Sequence, residues 1–387
     1  MADRFRVLHV STTSAGGLGT SLLSIVRALD ATRFRVEVAL GIGHPLDGAF
    51  ERAGIRLHAL QLSRGIRPLQ FVRTIVRLTI LMRREHFDAL HVHGSEAGIL
   101  ARIAGRIAGV PVMIVELHGY ANRDPDSLLE RTLYRWIEKA LDGMTDAYVA
   151  VSHHVKRQWL ARGICVPDKL RVIHHALVLH DFPDRGAIGR TRAKDGGLLV
   201  GTVCLLEARK GLEALVEAMP AVLAKVPSVR FAIVGDGELM PWMQRRTREL
   251  GLATCVDFMG WRFDVPDLMW RFDVFALPSR RESFGLVFLE AMASRCPVVG
   301  SHVDGIPEVV EHGETGLLIP PDSPPALAAA IVELLTDTDK ARRFGDAGRL
   351  RVEALFDADR MAREYNALYG ELLERSFGAG ARTSHDG

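Results

Sequence analysis

The sequence has no run approaching the ~18–20 apolar residues that a membrane-spanning helix requires. Its four cysteines, Cys165, Cys204, Cys255 and Cys296, stand far apart and form no Cys-x-x-Cys pair. That spacing excludes a disulfide framework and a zinc-ribbon pattern, and fits buried thiols in a reducing compartment. A large net charge is also missing: 49 Lys and Arg stand against 47 Asp and Glu, a balance of +2. With this near-neutral balance, and no exposed aromatics expected among the arginines of the run Arg64 to Arg84, nucleic acid is the weaker reading. Low-complexity tracts and short repeats are absent. The opening residues Met1–Val10 enter an apolar strand pattern at once, so no signal peptide is expected and the cytoplasm is the expected location.

What is present is apolar and periodic. A 387-residue chain that is 48% hydrophobic can fill two cores of ordinary size. Residues 1–180 carry 24 Lys and Arg against 16 Asp and Glu, whereas the remainder carries 25 against 31. A basic half beside an acidic half points to an anionic surface or ligand on one side only.

Short apolar strands alternate with amphipathic helices in both halves. Strands are predicted at Val7–Val10, Val36–Leu40, Arg56–Leu60, Ala89–Val92, Val112–Leu117 and Ala147–Val151, then at Leu198–Cys204, Val229–Val234, Cys255–Met259, Val274–Leu277 and Pro297–Val299. The alternation predicts an α/β protein with two doubly wound, Rossmann-like parallel-sheet domains facing a cleft. The expected divisions are 1–180, a polar linker at 181–197, 198–356, a C-terminal helix at 357–376 returning to the first domain, and a disordered tail at 377–387. On that last helix Met361, Tyr365, Leu368 and Leu372 form the apolar face.

Four motifs fall at predicted strand ends, where such folds bind ligands. Ser14-Ala15-Gly16-Gly17-Leu18-Gly19-Thr20 opens a helix. Its spacing is not GxGxxG and no acidic residue is placed for a ribose, which leaves a plain tight turn or a turn facing phosphate. His118-Gly119 could offer a hydrogen-bonding imidazole or a structural one. Arg209-Lys210-Gly211 sets two cations beside a helix N-terminus, as a diphosphate site or a solvated cap. Glu282 and Glu290, eight apart around Phe284-Gly285, could accept hydrogen bonds from sugar hydroxyls or simply favour a helix start. Separately, Arg64 to Arg84 reads as a basic amphipathic helix, either solvated or laid on an anionic membrane.

As a set these residues resemble retaining glycosyltransferases of family GT4, which have the GT-B fold. Glu282-Ser283-Phe284-Gly285-Leu286-Val287-Phe288-Leu289-Glu290 is similar to the E-x7-E signature, and Asp304-Gly305-Ile306-Pro307-Glu308 to the GG-x-PE segment. Arg209-Lys210-Gly211, Ile233 to Leu239, Gly16-Gly17, His118-Gly119 and Val151-Ser152 fall where the family has its other motifs. The resemblance covers nearly all of residues 5–376. His91-Val92-His93-Gly94-Ser95-Glu96-Ala97-Gly98 resembles the HxHxSKAG segment of bacterial enzymes that build lipid-linked glycans and exopolysaccharides, with Glu96 in place of Lys.

The resemblance implies transfer of a sugar from a nucleotide diphosphate sugar (UDP or GDP) to a hydroxyl of a lipid-linked or polysaccharide-precursor acceptor, with retention. Glu282 would bind donor hexose hydroxyls, and the amides of Ser283, Phe284, Gly285 and Leu286 would lie near the sugar and diphosphate. Glu290 would bind the ribose, and Arg209 and Lys210 the diphosphate, with Gly16 and Gly17 closing from the other domain. His118 would sit near the transferred sugar. No cofactor is expected, and no metal, because no DxD motif stands at a matching position. Three departures matter: Leu205 replaces the family's usual Arg, which Arg209 would stand in for, His174-His175-Ala176 replaces its Pro-Asn-Gly, and Asp304-Gly305 replaces its Gly-Gly. A sugar-nucleotide epimerase and a non-catalytic nucleotide-sugar-binding protein are the alternatives.

Overall fold

The computed structural model describes residues 4–13, 16–41, 46–60, 68–119, 128–182, 184 and 197–378. Most of the expected linker, Arg64, Arg67 and the last nine residues lie outside these. The chain divides into two compact units, Met1–His175 with Ala358–Gly387, and Ala176–Asp357.

The first unit runs β1 (Phe5–Ser11), α1 (Gly16–Ala28), β2 (Phe34–Gly41), α2 (Asp47–Arg52), β3 (Arg56–Leu60), α3 (Pro68–Glu85), β4 (Ala89–His93), α4 (Ser95–Ala108), β5 (Val112–Leu117), α5 (Leu128–Leu141), β6 (Ala147–Ala150), α6 (His153–Ala161) and β7 (Leu170–Val172). The second runs β8 (Leu199–Val203), α7 (Leu212–Lys225), β9 (Arg230–Val234), α8 (Met240–Glu249), β10 (Val256–Gly260), α9 (Val265–Arg271), β11 (Val274–Leu277), α10 (Leu286–Ala293), β12 (Val298–Ser301), α11 (Ile306–Val309), β13 (Gly316–Ile319), α12 (Pro324–Thr336) and α13 (Thr338–Leu355). Helix α14 (Ala358–Phe377) belongs again to the first unit.

Every strand pairing is parallel, in the orders β3-β2-β1-β4-β5-β6-β7 and β10-β9-β8-β11-β12-β13. The predicted fold class is therefore the observed one. Parallel strands need helical crossovers, and those helices cover both sheet faces. Hence β5, β6, β11 and β12 are buried at every position and read as near-continuous apolar runs. Strand β4, Ala-Leu-His-Val-His, is equally buried but carries two imidazoles into the interior. Strand order reverses between β1 and β4 in the first unit and between β8 and β11 in the second. Those switch points open a crevice at the carboxyl ends of the strands.

Helix α14 buries the expected face, Met361, Tyr365, Leu368 and Leu372, and Tyr369 with it. Its register on α1 is pinned where the Asp30 amide donates to Asn366 Oδ1 at 3.1 Å. Helix α3 departs from the simple amphipathic reading. Thr74, Leu78 and Met82 are buried, but Val72, Val76 and Ile80 stand exposed beside the exposed Arg73, Arg77, Arg83 and Arg84.

Candidate active site

In the second unit four strand-end loops are stitched into one platform. After β8, the Leu206 amide donates to Asp236 O (2.9 Å) and Leu206 O accepts from Leu239 N (2.9 Å), which ties in the loop after β9. Gly235 and Gly237 make that approach possible. Their φ values are +128° and +157°, and a Cβ would lie 1.9 Å from Cys204 O or 2.5 Å from Leu206 O. The loop after β11 joins through Arg280 N, which donates to Arg209 O at 2.9 Å. Gly211, at φ +63°, lets that loop come close, since a Cβ there would meet Pro278 O at 2.1 Å. The loop after β12 closes the set: Gly305 N donates to Glu282 O (2.9 Å) and Glu282 N to Asp304 Oδ2 (3.0 Å).

Asp304 has φ +48°. Asp tolerates this left-handed region better than most residues because its short side chain bonds locally. The Asp at this departure from the GG-x-PE pattern is thus accommodated, and its carboxylate orients the Glu282 backbone.

On this platform Lys210 and Glu282 meet. Nζ lies 2.5 Å from Glu282 Oε2, and the two side chains are only 10% and 12% exposed. Arg209 points elsewhere, onto Glu207 Oε1 at 2.5 Å, and is the more exposed of the two cations. Leu205 is part-buried and contributes no charge. Helix α10 begins at Gly285 (φ +98°) with no side chain capping it. Its first amides and dipole therefore supply positive potential beside Ser283 and Phe284. Glu290, on the second turn of α10, has no ion-pair or hydrogen-bond partner for its carboxylate among the described residues. Burial pushes it up to about 7.

The first unit holds the remaining candidates. Gly16 takes φ +60° at the start of α1. A Cβ on Gly17 would meet nothing within 4 Å, so packing alone does not require glycine there. His118, at the end of β5, is 15% exposed and Nε2 lies 3.5 Å from Glu116 Oε1. Its ring stacks on His175 with centroids 5.4 Å apart, which is where the His174-His175 departure places its second imidazole. Burial holds His9, His91, His93, His118 and His175 below the usual histidine range and raises Glu116. Sequence reasoning had His91 and His93 in one motif and His118 in another. It missed Glu116 and His9, which look like ordinary strand residues until parallel pairing sets β1, β4 and β5 side by side.

Residues 197–337 match the family described as "Glycosyl transferases group 1", and residues 16–176 match the "Glycosyl transferase 4-like domain". The chain belongs to this glycosyltransferase family. It is an enzyme of the GT4 type with the GT-B fold. This glycosyltransferase is 28% identical over 284 residues, 71% of the chain and 73% of the relative, to the UDP-Gal:alpha-D-GlcNAc-diphosphoundecaprenol alpha-1,3-galactosyltransferase of Escherichia coli. Over a shorter stretch of 171 residues, 41% of the chain and 44% of the relative, it is 37% identical to the GDP-mannose-dependent alpha-(1-6)-phosphatidylinositol monomannoside mannosyltransferase of Mycobacterium tuberculosis. The solved structure of Anabaena HepE in complex with UDP-glucose matches 95% of this chain and 100% of its own at a TM-score of 0.79 and 21% identity, which speaks to fold. Among the described residues, no helix of the glycosyltransferase is long and apolar enough to cross a membrane.

Proposed function

We propose that this glycosyltransferase moves a hexosyl group from a nucleoside diphosphate sugar to a hydroxyl of a lipid-linked or polysaccharide-precursor glycan, with retention at the anomeric carbon. The observation that carries the reading is the second unit's platform, where Lys210 and Glu282 meet beside the uncapped start of α10. A diphosphate would draw Lys210 away from Glu282 and free that carboxylate for hexose hydroxyls. The amides of Ser283, Phe284, Gly285 and Leu286 add donors, Arg209 a second cation, and Glu290 an acceptor for the ribose. Gly16, Gly17 and His118 are proposed donor-facing groups of the first unit.

In the step itself the acceptor oxygen bonds to the anomeric carbon and the bond from that carbon to the diphosphate oxygen breaks on the same face. The departing phosphate takes the hydroxyl proton, so no protein nucleophile is assigned. Fixed positive potential where charge develops lowers the barrier without reorganisation. Cationic side chains fill that role in this reading, so the transfer step is proposed to need no Mg²⁺ or Mn²⁺.

UDP-sugars and GDP-sugars are both supported by the relatives' names. The test is a thermal-stabilisation screen of nucleotide sugars, since a tight ligand raises apparent stability by mass action, followed by transfer assays with the stabilising donor. Acceptor-dependent transfer, an α-linked product and a rate unchanged by Mg²⁺ or Mn²⁺ are expected. Conversion of the nucleotide sugar without an acceptor would show an epimerase instead, and binding without turnover across acceptors a non-catalytic protein.

An anionic membrane is the proposed docking surface of the first unit. Val72, Val76 and Ile80 lie at helical spacing of four on α3, flanked by exposed arginines, and on α5 Trp136 is 65% exposed with Lys139 over its ring. Apolar anchors beside cations suit the boundary of a bilayer with acidic headgroups. Co-sedimentation with phosphatidylglycerol vesicles is expected, and its loss in Arg73→Glu/Arg77→Glu. Equal sedimentation of parent and variant, or none by either, contradicts the docking.

A further inference from the structure

We propose that the first unit binds one zinc-class divalent ion through His93 Nδ1, a Glu116 carboxylate oxygen and His118 Nε2. The three side chains come from the end of β4, the end of β5 and the residue that follows it. Parallel pairing of β4 with β5 sets His93 directly against Glu116.

The geometry fits a tetrahedral ion. His93 Nδ1 is 3.4 Å from Glu116 Oε2 and 3.4 Å from His118 Nε2, and His118 Nε2 is 3.5 Å from Glu116 Oε1. Ligands about 2.0–2.1 Å from a tetrahedral Zn²⁺ sit about 3.3–3.4 Å from one another. Ordinary hydrogen bonds are shorter, roughly 2.7–3.2 Å. Each imidazole thus faces its own oxygen of the Glu116 carboxylate, at spacings too wide for good hydrogen bonds, and one donor atom from each of the three residues lies within 4.8 Å of the others, close enough for a shared cation. Two imidazoles and one carboxylate, with a fourth position left open, is a donor set that zinc accepts.

The surroundings favour the ion on separate grounds. Glu116 is buried, its Oε1 has no hydrogen-bond partner, and no Lys or Arg among the described residues pairs with it. A buried carboxylate left without a cation is costly. The donors are held from outside as metal ligands usually are. The other nitrogen of His93 faces His9 Nδ1 at 2.9 Å, and the Tyr365 hydroxyl donates to Glu116 Oε2 at 3.0 Å. Helix α14, which brings Tyr365, is thereby coupled to the site. His118 alone of the three reaches the surface, so the open position faces outward.

The expectation of no metal rested on the lack of an acidic pair for the donor diphosphate. It does not bear on this cluster in the other unit.

The test uses the full-length protein stripped with chelator, then titrated with Zn²⁺ against a chromophoric competitor and, separately, with Co²⁺. One equivalent of Zn²⁺ per chain is expected, and Co²⁺ should give the intense visible absorption of a four-coordinate site. Glu116→Gln and His93→Ala should bind less than a tenth of an equivalent, while His154→Ala on α6 keeps the full one. The wild-type titration stands even if a variant misfolds. Wild-type uptake below a tenth of an equivalent, or uptake unchanged in folded His93→Ala and Glu116→Gln, overturns the proposal.

Discussion

Two sites, one in each unit, hold buried charge in opposite ways. In the second, Lys210 and Glu282 neutralise each other across 2.5 Å at the mouth of the strand-end loops. In the first, Glu116 is surrounded by imidazoles that burial keeps neutral, and among the described residues only the Tyr365 hydroxyl donates a hydrogen bond of ordinary length to it. A paired cation and anion can be exchanged against a ligand that carries both an anion and hydroxyls, because each group finds a new partner. An acid among neutral bases has no such exchange available and must take up a proton or a cation. In the proposed reading, the same kind of α/β scaffold thus builds an exchangeable recognition site in one unit and a cation-seeking cluster in the other.

The comparison breaks first at Lys210. Lys210→Ala is expected to lower turnover by about 10²–10³, the usual cost of losing one preorganised donor to developing charge, with circular dichroism unchanged. Turnover within a few-fold of the parent in a folded variant would mean that the Lys210–Glu282 pair is structural.

Backbone approach separates the units next. Gly211→Ala must place a methyl against Pro278 O at left-handed φ, and a loss of roughly 1–3 kcal/mol is expected from such strain. Gly17→Ala meets nothing within 4 Å, so its stability should stay within about 0.5 kcal/mol of the parent. Denaturant midpoints measure both. A fall in turnover for Gly17→Ala at unchanged stability would point to close approach by the ligand.

The smallest effect concerns Glu290. Burial raises its carboxyl to about 7 from an ordinary 4.5, so between those values the folded protein holds a proton that the unfolded chain has lost. Stability from this group is thus present in acid and is lost as pH rises through that window. The stability of Glu290→Gln relative to the parent should rise from pH 4.5 to 7 and then level off. A constant difference across that range contradicts the raised carboxyl. Since the ionised form is the proposed acceptor for the ribose hydroxyls, nucleotide affinity should also rise as pH approaches 7 and level off above it in the parent, and stay flat in the variant.

The sheets were legible in the sequence because central parallel strands are apolar on both faces, as Val112–Leu117 and Val274–Leu277 are. The edge strands β7 and β13 were not expected; β7 is three residues long with one fully buried position. The platform was legible as motifs, since Arg209-Lys210-Gly211 and Glu282 to Glu290 keep their order along the chain. That Lys210 rather than Arg209 faces Glu282 depends on a single turn, and residue type alone does not fix it. The imidazole cluster was least visible. His9, Glu116 and Tyr365 come from three distant segments, and only strand order and the return of α14 bring them together. Arg102, fully buried and donating to Glu138 at 2.6 Å, hid in the same way on a helix whose other arginine, Arg106, is solvated.

The central claim is that the second unit grips the diphosphate of the donor through Lys210. Titration calorimetry of Lys210→Ala with a nucleoside diphosphate and with the matching free nucleoside tests it most directly. At least a tenfold loss for the diphosphate, with nucleoside affinity unchanged, is the predicted result. Equal affinities for the diphosphate in parent and folded variant would contradict it.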